Sequence, residues 1–410
     1  MNEEAPKSLR DALAFIAGYI EAPLPPVRMA LSAAFGHVLA EDIVASTCLP
    51  RFDNAAMDGF AIRSSDIGPD GTAVLRIVQT ITAGQIVVPA LCPGEAVRIT
   101  TGAPVPPGAD RIVVQEAAEI KGGEVRLRVR DGAKPHIRRV GEDVSRGDTL
   151  LEAGARIGPG QMALLAALGL RSVLVAPRPK VALLSTGDEL VDSPGSLAAG
   201  QVFDSNRPML SHMLLAAGAA VTDLGMAHDD PEVILERLVE AAADHDFLIS
   251  SGGASVGFAD HLARVVSRRG FLEFWKLDMR PGKPVGFGDI DDCPILLLPG
   301  NTLAAAVGFA LLGRAVLARL EGRPLNASVL RLPVDRPLAR SAGRIEVHLG
   351  RLRLDSRSRA TAVEPLPYGG SASLRHLALV DVMIVLEPGE GMIDAGENVD
   401  TLPVWQRFPG

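Results

Sequence analysis

Val181-Ala182-Leu183-Leu184-Ser185-Thr186-Gly187-Asp188-Glu189 is an unbroken apolar run that ends in small and acidic residues, and Phe247-Leu248-Ile249-Ser250-Ser251-Gly252-Gly253 repeats the arrangement. A short continuous apolar run bounded by turn residues reads as a strand buried on both faces. Between the two runs, Asn206 to Ala217 reads as a helix closed by Gly218, and a strand follows near 221–224. Asp230 then caps a second helix whose first residue is Pro231, with Ile234, Leu238 and Ala242 on one face. Residues 295–298 make a further strand that runs into Pro299-Gly300-Asn301 and a helix to Leu320. Strand–helix alternation of this kind predicts a mostly parallel α/β sheet with helices on both faces, spanning 179–328.

On either side the pattern changes. Residues 8–20 read as an amphipathic helix with Leu9, Leu13, Ile16 and Ile20 on one face, Ser8 and Asp11 as a capping pair, and Pro23 as its stop. Residues 72–130 carry short alternating segments, and Lys121-Gly122-Gly123 before the alternating run 124–130 predicts a hairpin whose arginines are solvated. Pro159 to Leu168 reads as a helix followed by Gly169. Residues 321–328 read as a linker, and 329–405 return to short β segments, a small barrel or sandwich.

Composition narrows the class. In 410 residues, 41 Lys+Arg stand against 49 Asp+Glu for a formal charge of −8, which excludes a general nucleic-acid backbone binder. Hydrophobic residues at 47% and charged ones at 22% are globular usage. The longest apolar stretch, from Leu303, is expected to close at Arg314, short of the roughly 18–20 residues a bilayer needs. The opening Met1-Asn2-Glu3-Glu4 lacks the pattern of a secretory signal. Cys48, Cys92 and Cys293 are odd in number and far apart, and the eight histidines form no close pair, against a disulfide framework or a thiolate or imidazole zinc site. The expectation is a soluble cytoplasmic protein that touches neither nucleic acid nor membrane.

In open α/β sheets, ligands bind beyond the carboxyl ends of the strands. Three loops there carry chemistry: Thr186-Gly187-Asp188-Glu189, the Ser/Gly run 250–257, and Pro299-Gly300-Asn301. Small residues let backbone N–H groups approach an anion, and a helix expected near Phe258 would add its N-terminal partial charge. Asp188, Glu189, Asp229, Asp230 and Asp260 gather at the same rim, where carboxylates are costly unless a cation such as Mg²⁺ neutralises them. Asp230 has a structural excuse as a helix cap. Lys276, Arg280 and Lys283 are cations spaced along what reads as a strand and its turn, while Trp275 reads as core. Acids for a metal beside bases for oxyanions suit phosphoryl-type transfer. Residues 51–61 and 100–108 read as loops without strand or helix period and name no reaction.

Phe52-Asp53-Asn54-Ala55-Ala56-Met57-Asp58-Gly59-Phe60-Ala61, Thr101-Gly102-Ala103-Pro104-Val105-Pro106, Gly141-Glu142-Asp143, Ser185-Thr186-Gly187-Asp188-Glu189-Leu190, Asp204-Ser205-Asn206, Ser251-Gly252-Gly253-Ala254-Ser255-Val256-Gly257, Pro281-Gly282-Lys283-Pro284 and Leu298-Pro299-Gly300-Asn301 occur in order. In these motifs the chain resembles the molybdopterin molybdenumtransferases, bacterial molybdate-insertion enzymes similar to the C-terminal part of gephyrin, over nearly its whole length. The resemblance implies a transferase of molybdenum cofactor biosynthesis that inserts molybdate into adenylated molybdopterin and releases AMP with Mg²⁺ assistance. It implies an elongated homodimer whose subunit combines α/β and β domains: 1–50 with 141–178 as a helical dimerisation domain, 51–140 as a β-rich insert, 179–328 as the molybdopterin-binding α/β domain, and 329–410 as a small β-barrel.

Matched motif by motif, Asp58, Asp143, Asp188, Glu189, Asp229, Asp260, Lys276, Arg280 and Lys283 fall on catalytic positions. Thr101, Ser251, Gly252, Gly253, Ser255, Gly257, Pro299, Gly300 and Asn301 fall on substrate-binding ones, and Asp188, Glu189, Asp229 and Asp260 on metal-binding ones. Asp58 and Asp143 would come from the partner subunit, and other cofactor-biosynthesis proteins and apo-molybdoenzymes are implied partners. The rival readings are a non-catalytic molybdopterin-binding scaffold, a divergent paralogue, and a nucleotide-processing enzyme that shares only the α/β domain. The chain also departs from the pattern. Thr302-Leu303-Ala304 stands where Pro-Val-Ser is usual, Arg280 where Lys is common, and Leu349 where Arg344-x-Glu346 is usually followed by a second arginine. These departures imply weaker or altered molybdate binding.

Overall fold

The structure is a computed structural model, and it describes residues 6–85, 89–192, 196–252, 266–325, 329–367, 370 and 372–404. Its central sheet has the strand order Ala220–Ala227, Lys180–Thr186, Phe247–Gly252, Cys293–Leu298, Gly286–Ile290, Gly270–Phe274. The first four strands are parallel and the last two antiparallel. Val181 and Leu183 join one core with Leu210, Met213 and Leu214 of the helix Asn206–Ala217. Ala182 and Leu184 join another with Ile234, Leu235 and Leu238 of the helix Pro231–Ala242. Both faces are covered, which is why this strand reads as continuously apolar instead of alternating. The helix signals hold as well: Asp230 accepts hydrogen bonds from the Glu232 and Val233 N–H groups, and Gly218 closes the first helix at φ 101°.

The apolar run ends at Arg314, but the helix that carries it continues to Leu320 as expected. Thr302–Leu320 is one helix of 19 residues, long and apolar enough by length and composition to cross a bilayer, but 89% of its apolar window is buried within the protein. Arg314 stays in the helix by donating to the Pro403 carbonyl at 3.2 Å. The N-terminal helix Leu9–Tyr19 is capped by Ser8, whose hydroxyl accepts from the Asp11 N–H. The sequence reading groups it with 1–50 and 141–178, but Leu9, Ala12 and Ile16 complete the α/β core beside Phe287 and Val316. The Tyr19 hydroxyl donates to Asp289 at 2.7 Å, and Lys7 pairs with Glu273.

Residues 27–176 form two further bodies. Val27–Ala30, Ser172–Ala176 and Val38–Leu39 make a small sheet that packs with the helix Pro159–Ala167 around Leu39, Ile157, Leu165 and Val173. The insert is a six-stranded sheet in the order Arg111–Val114, Gly59–Ile62, Glu95–Ile99, Thr72–Ile81, Glu124–Arg128, Ala118–Lys121. Its hairpin places Glu124 opposite Lys121 across Gly122 (φ 61°) and Gly123 (φ 87°), the two positive values a tight hairpin turn needs. Gly59–Ile62, read as loop, is a strand. All four residues are buried, Ala61 in one core and Phe60 and Ile62 in another, so no alternation marks it.

At the C-terminal end, Ile345–Leu354, Val382–Leu386, Asn398–Pro403 and Leu330–Pro333 pair in succession, with Ala360–Pro365 on the outer side of Ile345–Leu354. The Asp335 N–H donates to the Val363 carbonyl at 2.9 Å, so the outer strands meet. Glu321, expected to open a linker, is buried and ion-paired with Arg156 and Arg323.

Candidate active site

The chain leaves Lys180–Thr186 toward one side of the sheet and Phe247–Gly252 toward the other, so the topological switch point lies between them. The loops beyond the carboxyl ends therefore stand in a row: Asp229, then Asp188 and Glu189, then Ser251 and Gly252, then Pro299-Gly300-Asn301. Three inter-strand steps separate the ends of this row, on the order of 14 Å. One end is acidic, the middle small and polar, the other end basic.

At the acidic end, the Asp188 carboxylate accepts hydrogen bonds from the Asp229 N–H and from His228 Nδ1, both at 3.1 Å. The N–H bond first, then the imidazole, holds Asp188 below the usual carboxylate range. Asp229 moves the other way: burial raises it, and the charges of Asp188 and Glu189 raise it further. Its Oδ1 is buried without a hydrogen-bond partner. A crowded carboxylate with an orphaned oxygen fits a cation better than water or a proton donor. Among the described residues no three His, Cys, Asp or Glu side chains are grouped so as to hold a metal ion, and Asp260 lies outside the described residues.

In the middle, Ser185 Oγ, Thr186 Oγ1 and Asn206 Oδ1 are all buried and unpartnered. Asn206 Nδ2 donates to Ser251 Oγ at 2.8 Å and to the Gly300 carbonyl at 2.9 Å, which ties two rim loops together. Gly252, at φ 119°, leaves no room for a side chain: a Cβ there would lie 1.9 Å from the Thr186 carbonyl oxygen. Gly253, Ser255, Gly257 and the helix expected near Phe258 lie outside the described residues.

The basic end opens into a cleft of about 310 Å³, lined among others by Arg280, Lys283, Pro299, Asn301, Ala304 and Arg344. Pro299 and Asn301 border it while Gly300 is held by Asn206, so one loop walls both the polar crevice and the cleft. Lys276, Arg280 and Lys283 do not share one strand and its turn as expected. Lys276 follows the strand Gly270–Phe274 and is absent from the cleft lining, and Arg280 belongs to a two-residue strand, Met279–Arg280, that pairs with the C-terminal sheet.

The other expected residues lie on the N-terminal bodies. Asp58 accepts from the Thr101 N–H and hydroxyl, each at 2.7 Å, and these bonds hold its carboxyl below the usual range. Asp143 is exposed, with its N–H on the Leu49 carbonyl at 3.0 Å. Three residues that the site reading left out also belong here: His228, Asn206 and Arg344. His228 looks ordinary in sequence, a lone imidazole that only the rim's geometry joins to the site, whereas Asn206 and Arg344 stand within the motif Asp204-Ser205-Asn206 and the pattern Arg344-x-Glu346 without an assigned role.

Comparison with known proteins follows the same division. The chain matches, in succession, the families described as MoeA N-terminal region (domain I and II) over residues 7–169, probable molybdopterin binding domain over 182–319, and MoeA C-terminal region (domain IV) over 331–404. It is 34% identical to a molybdopterin molybdenumtransferase of Haemophilus influenzae over 379 residues, 91% of this chain and 92% of that one. It is 40% identical to molybdopterin molybdenumtransferase 2 of Mycobacterium tuberculosis over 76% of this chain and 80% of that one. A crystal structure of a molybdopterin biosynthesis protein from Pyrococcus horikoshii OT3 superposes with a TM-score of 0.81 at 25% identity, covering 97% of this chain and 100% of that one.

Proposed function

From this chain's membership in the molybdopterin molybdenumtransferase family, transferases of molybdenum cofactor biosynthesis, we propose that it inserts molybdate into adenylated molybdopterin and releases AMP. The observation that carries the reading is the order of chemistry along the rim, from acids through a small polar crevice to a basic cleft. A ligand with a pterin at one point, a pyrophosphate at another and an oxyanion beside it needs that succession within one groove. The orphaned Ser185, Thr186 and Asn206 oxygens offer hydrogen-bond acceptors, and the two hydroxyls also donors, to a polar ligand in the crevice.

Asp188, Glu189 and Asp229, completed by Asp260, would hold Mg²⁺, which neutralises charge on the pyrophosphate. The two donors favour the ionised Asp188 carboxylate, and a bound cation would favour the charged form of Asp229 that burial and its acidic neighbours disfavour. Arg280 and Lys283, which line the cleft, hold phosphate and molybdate oxygens and stabilise charge as the pyrophosphate bond breaks, and Lys276 joins them as a family-matched cation. Molybdate attacks directly, so no covalent protein nucleophile is required. Ser251, Gly252, Pro299, Gly300 and Asn301 line the pterin crevice, Gly253, Ser255 and Gly257 are family-matched binding positions of the same loop, and Thr101, Asp58 and Asp143 reach it from the partner of a homodimer. The three free cysteines suit a reducing, cytoplasmic setting, and the curled C-terminal sheet a small barrel.

Incubation with adenylated molybdopterin and Mg²⁺, with and without molybdate, tests this by chromatography of AMP. Molybdate-dependent release is expected. Binding without release would make the protein a scaffold.

A further inference from the structure

Arg207 lies in the first turn of the helix Asn206–Ala217, and its side chain is 15% exposed. Each nitrogen of its guanidinium meets a different carboxylate. Nε donates to Asp204 at 3.1 Å, Nη1 donates to Asp223 at 2.7 Å, and Nη2 donates to Asp192. One carboxylate would balance the charge, so the other two need a further reason.

The acids belong to two segments that lead to the acidic end of the rim. Asp192 and Asp204 directly follow the strands of a short parallel ribbon, Leu190–Val191 with Val202–Phe203. That ribbon begins right after Asp188-Glu189, and the Val202 N–H donates to the Glu189 carbonyl at 2.9 Å. The Asp204 carboxylate is fixed in turn by the Asn206 and Arg207 N–H groups, at 3.0 and 3.1 Å. Asp223 belongs to Ala220–Ala227, the outer strand of the central sheet. Leu183 pairs with Asp223 but Ser185 with Met226, so the outer strand carries one extra residue. The Gly225 N–H closes this bulge by donating to Asp223 Oδ1 at 2.8 Å. The register past the bulge decides which backbone N–H reaches Asp188, and it is that of Asp229.

We propose that Arg207 is a positioning residue: it fastens the ribbon after Asp188-Glu189 and the bulged strand before Asp229 into one body, so that the acids of the rim meet where a cation can bind them. A planar fork holds three acceptors in fixed directions, which an ammonium on a flexible stem does not. The neighbouring Asn206 ties Ser251 to Gly300, so successive residues of one helix hold the acidic and the polar parts of the rim. The inference rests on reading the acidic end as the Mg²⁺ site.

Two measurements on the full chain test it. The first is amide hydrogen exchange read by mass spectrometry, with no metal or substrate added. In Arg207→Ala, peptides 187–192 and 223–230 should exchange about fivefold faster than in the wild type, with 276–284 on the basic cleft changed less than about twofold. The second is the Mg²⁺ dependence of AMP release. Its half-saturating concentration should rise about tenfold, while the half-saturating molybdate concentration changes less than about threefold. A general loss of stability would instead move all three peptides and both concentrations together. Arg207→Lys keeps the charge without the fork, and should still speed both peptides and raise the Mg²⁺ value about threefold. Uniform or unchanged exchange in Arg207→Ala, an unchanged Mg²⁺ value, or a molybdate shift as large as the Mg²⁺ shift would each overturn the proposal. So would a lysine variant that matches the wild type, and that variant decides the matter if Arg207→Ala does not fold. A wild type that releases no AMP sinks the functional reading, and the exchange pattern then judges Arg207 by itself.

Discussion

Ala304 is among the residues lining the basic cleft, at a position where the resemblance implies a serine. Thr302 does not supply the missing group, because its Oγ1 lies 3.0 Å from Ser205 Oγ in a buried position off the cleft lining. Ala304→Ser should therefore lower the half-saturating molybdate concentration about tenfold, the effect of one hydrogen bond to a charged ligand. Leu349 behaves differently. It sits in the hydrophobic core with Leu303 and Val347, so Leu349→Arg buries an unpaired charge and should cost on the order of 3 kcal/mol, read as a lowered Tm. The single Ala304 change is thus the informative restoration. Asp229 gives a pH signature. Its folded value lies above the ordinary 3.8, so its ionisation works against the fold: the penalty is absent below the unfolded value and grows as pH rises through the folded one. Without Mg²⁺, Asp229→Asn should raise Tm at pH 7 and leave it unchanged near pH 3, and saturating Mg²⁺ should remove the advantage at pH 7. Calorimetry at the two pH values checks the sign. The acidic residues were legible in sequence because carboxylates at strand ends are conspicuous. His228 was not, since its meaning comes from Asp188, forty residues back along the chain, while Asn206 and Arg344 belong to motifs whose partners only the fold supplies.

The helices and strands of the α/β sheet were legible for an equally physical reason. Asn206–Ala217 carries its own stop signal at Gly218, Pro231–Ala242 its own cap at Asp230, and the central strands are apolar on both faces because both faces are covered. The antiparallel strands Gly270–Phe274 and Gly286–Ile290 offer no such signal, since their pairing is set by neighbours and a bulge between Leu272 and Phe274 breaks the period. At this scale Gly252 is decisive. It pairs with Thr186 across the two central strands, and any side chain meets the Thr186 carbonyl. Gly252→Ala should spread the strands at the switch point, cost on the order of 3 kcal/mol and abolish molybdate-dependent AMP release. Retained activity and Tm would contradict that geometry.

For the molecule as a whole, the homodimer reading makes a quantitative demand. If Asp58 serves the partner's rim, equal mixtures of Asp58→Asn and Asp188→Asn subunits, dissociated and reassembled, form mixed dimers with one intact site. AMP release should recover to about a quarter of the wild-type rate, because half the dimers have one of two sites whole. No recovery would place Asp58 and Asp188 in the same subunit's site. At this scale an amphipathic face announces burial without naming its partner. The helix Leu9–Tyr19 shows this, and it has a consequence for biogenesis. The ribosome delivers this helix first, yet the Tyr19–Asp289 bond that seats it spans 270 residues of sequence. At roughly 5–20 residues per second, the helix emerges on the order of 15–50 seconds before its docking surface exists. Two complete bodies are synthesised and free to fold in that interval. Throughout it, Leu9, Ile16 and Ile20 offer nascent-chain chaperones an apolar handle that vanishes once the last core strand leaves the exit tunnel.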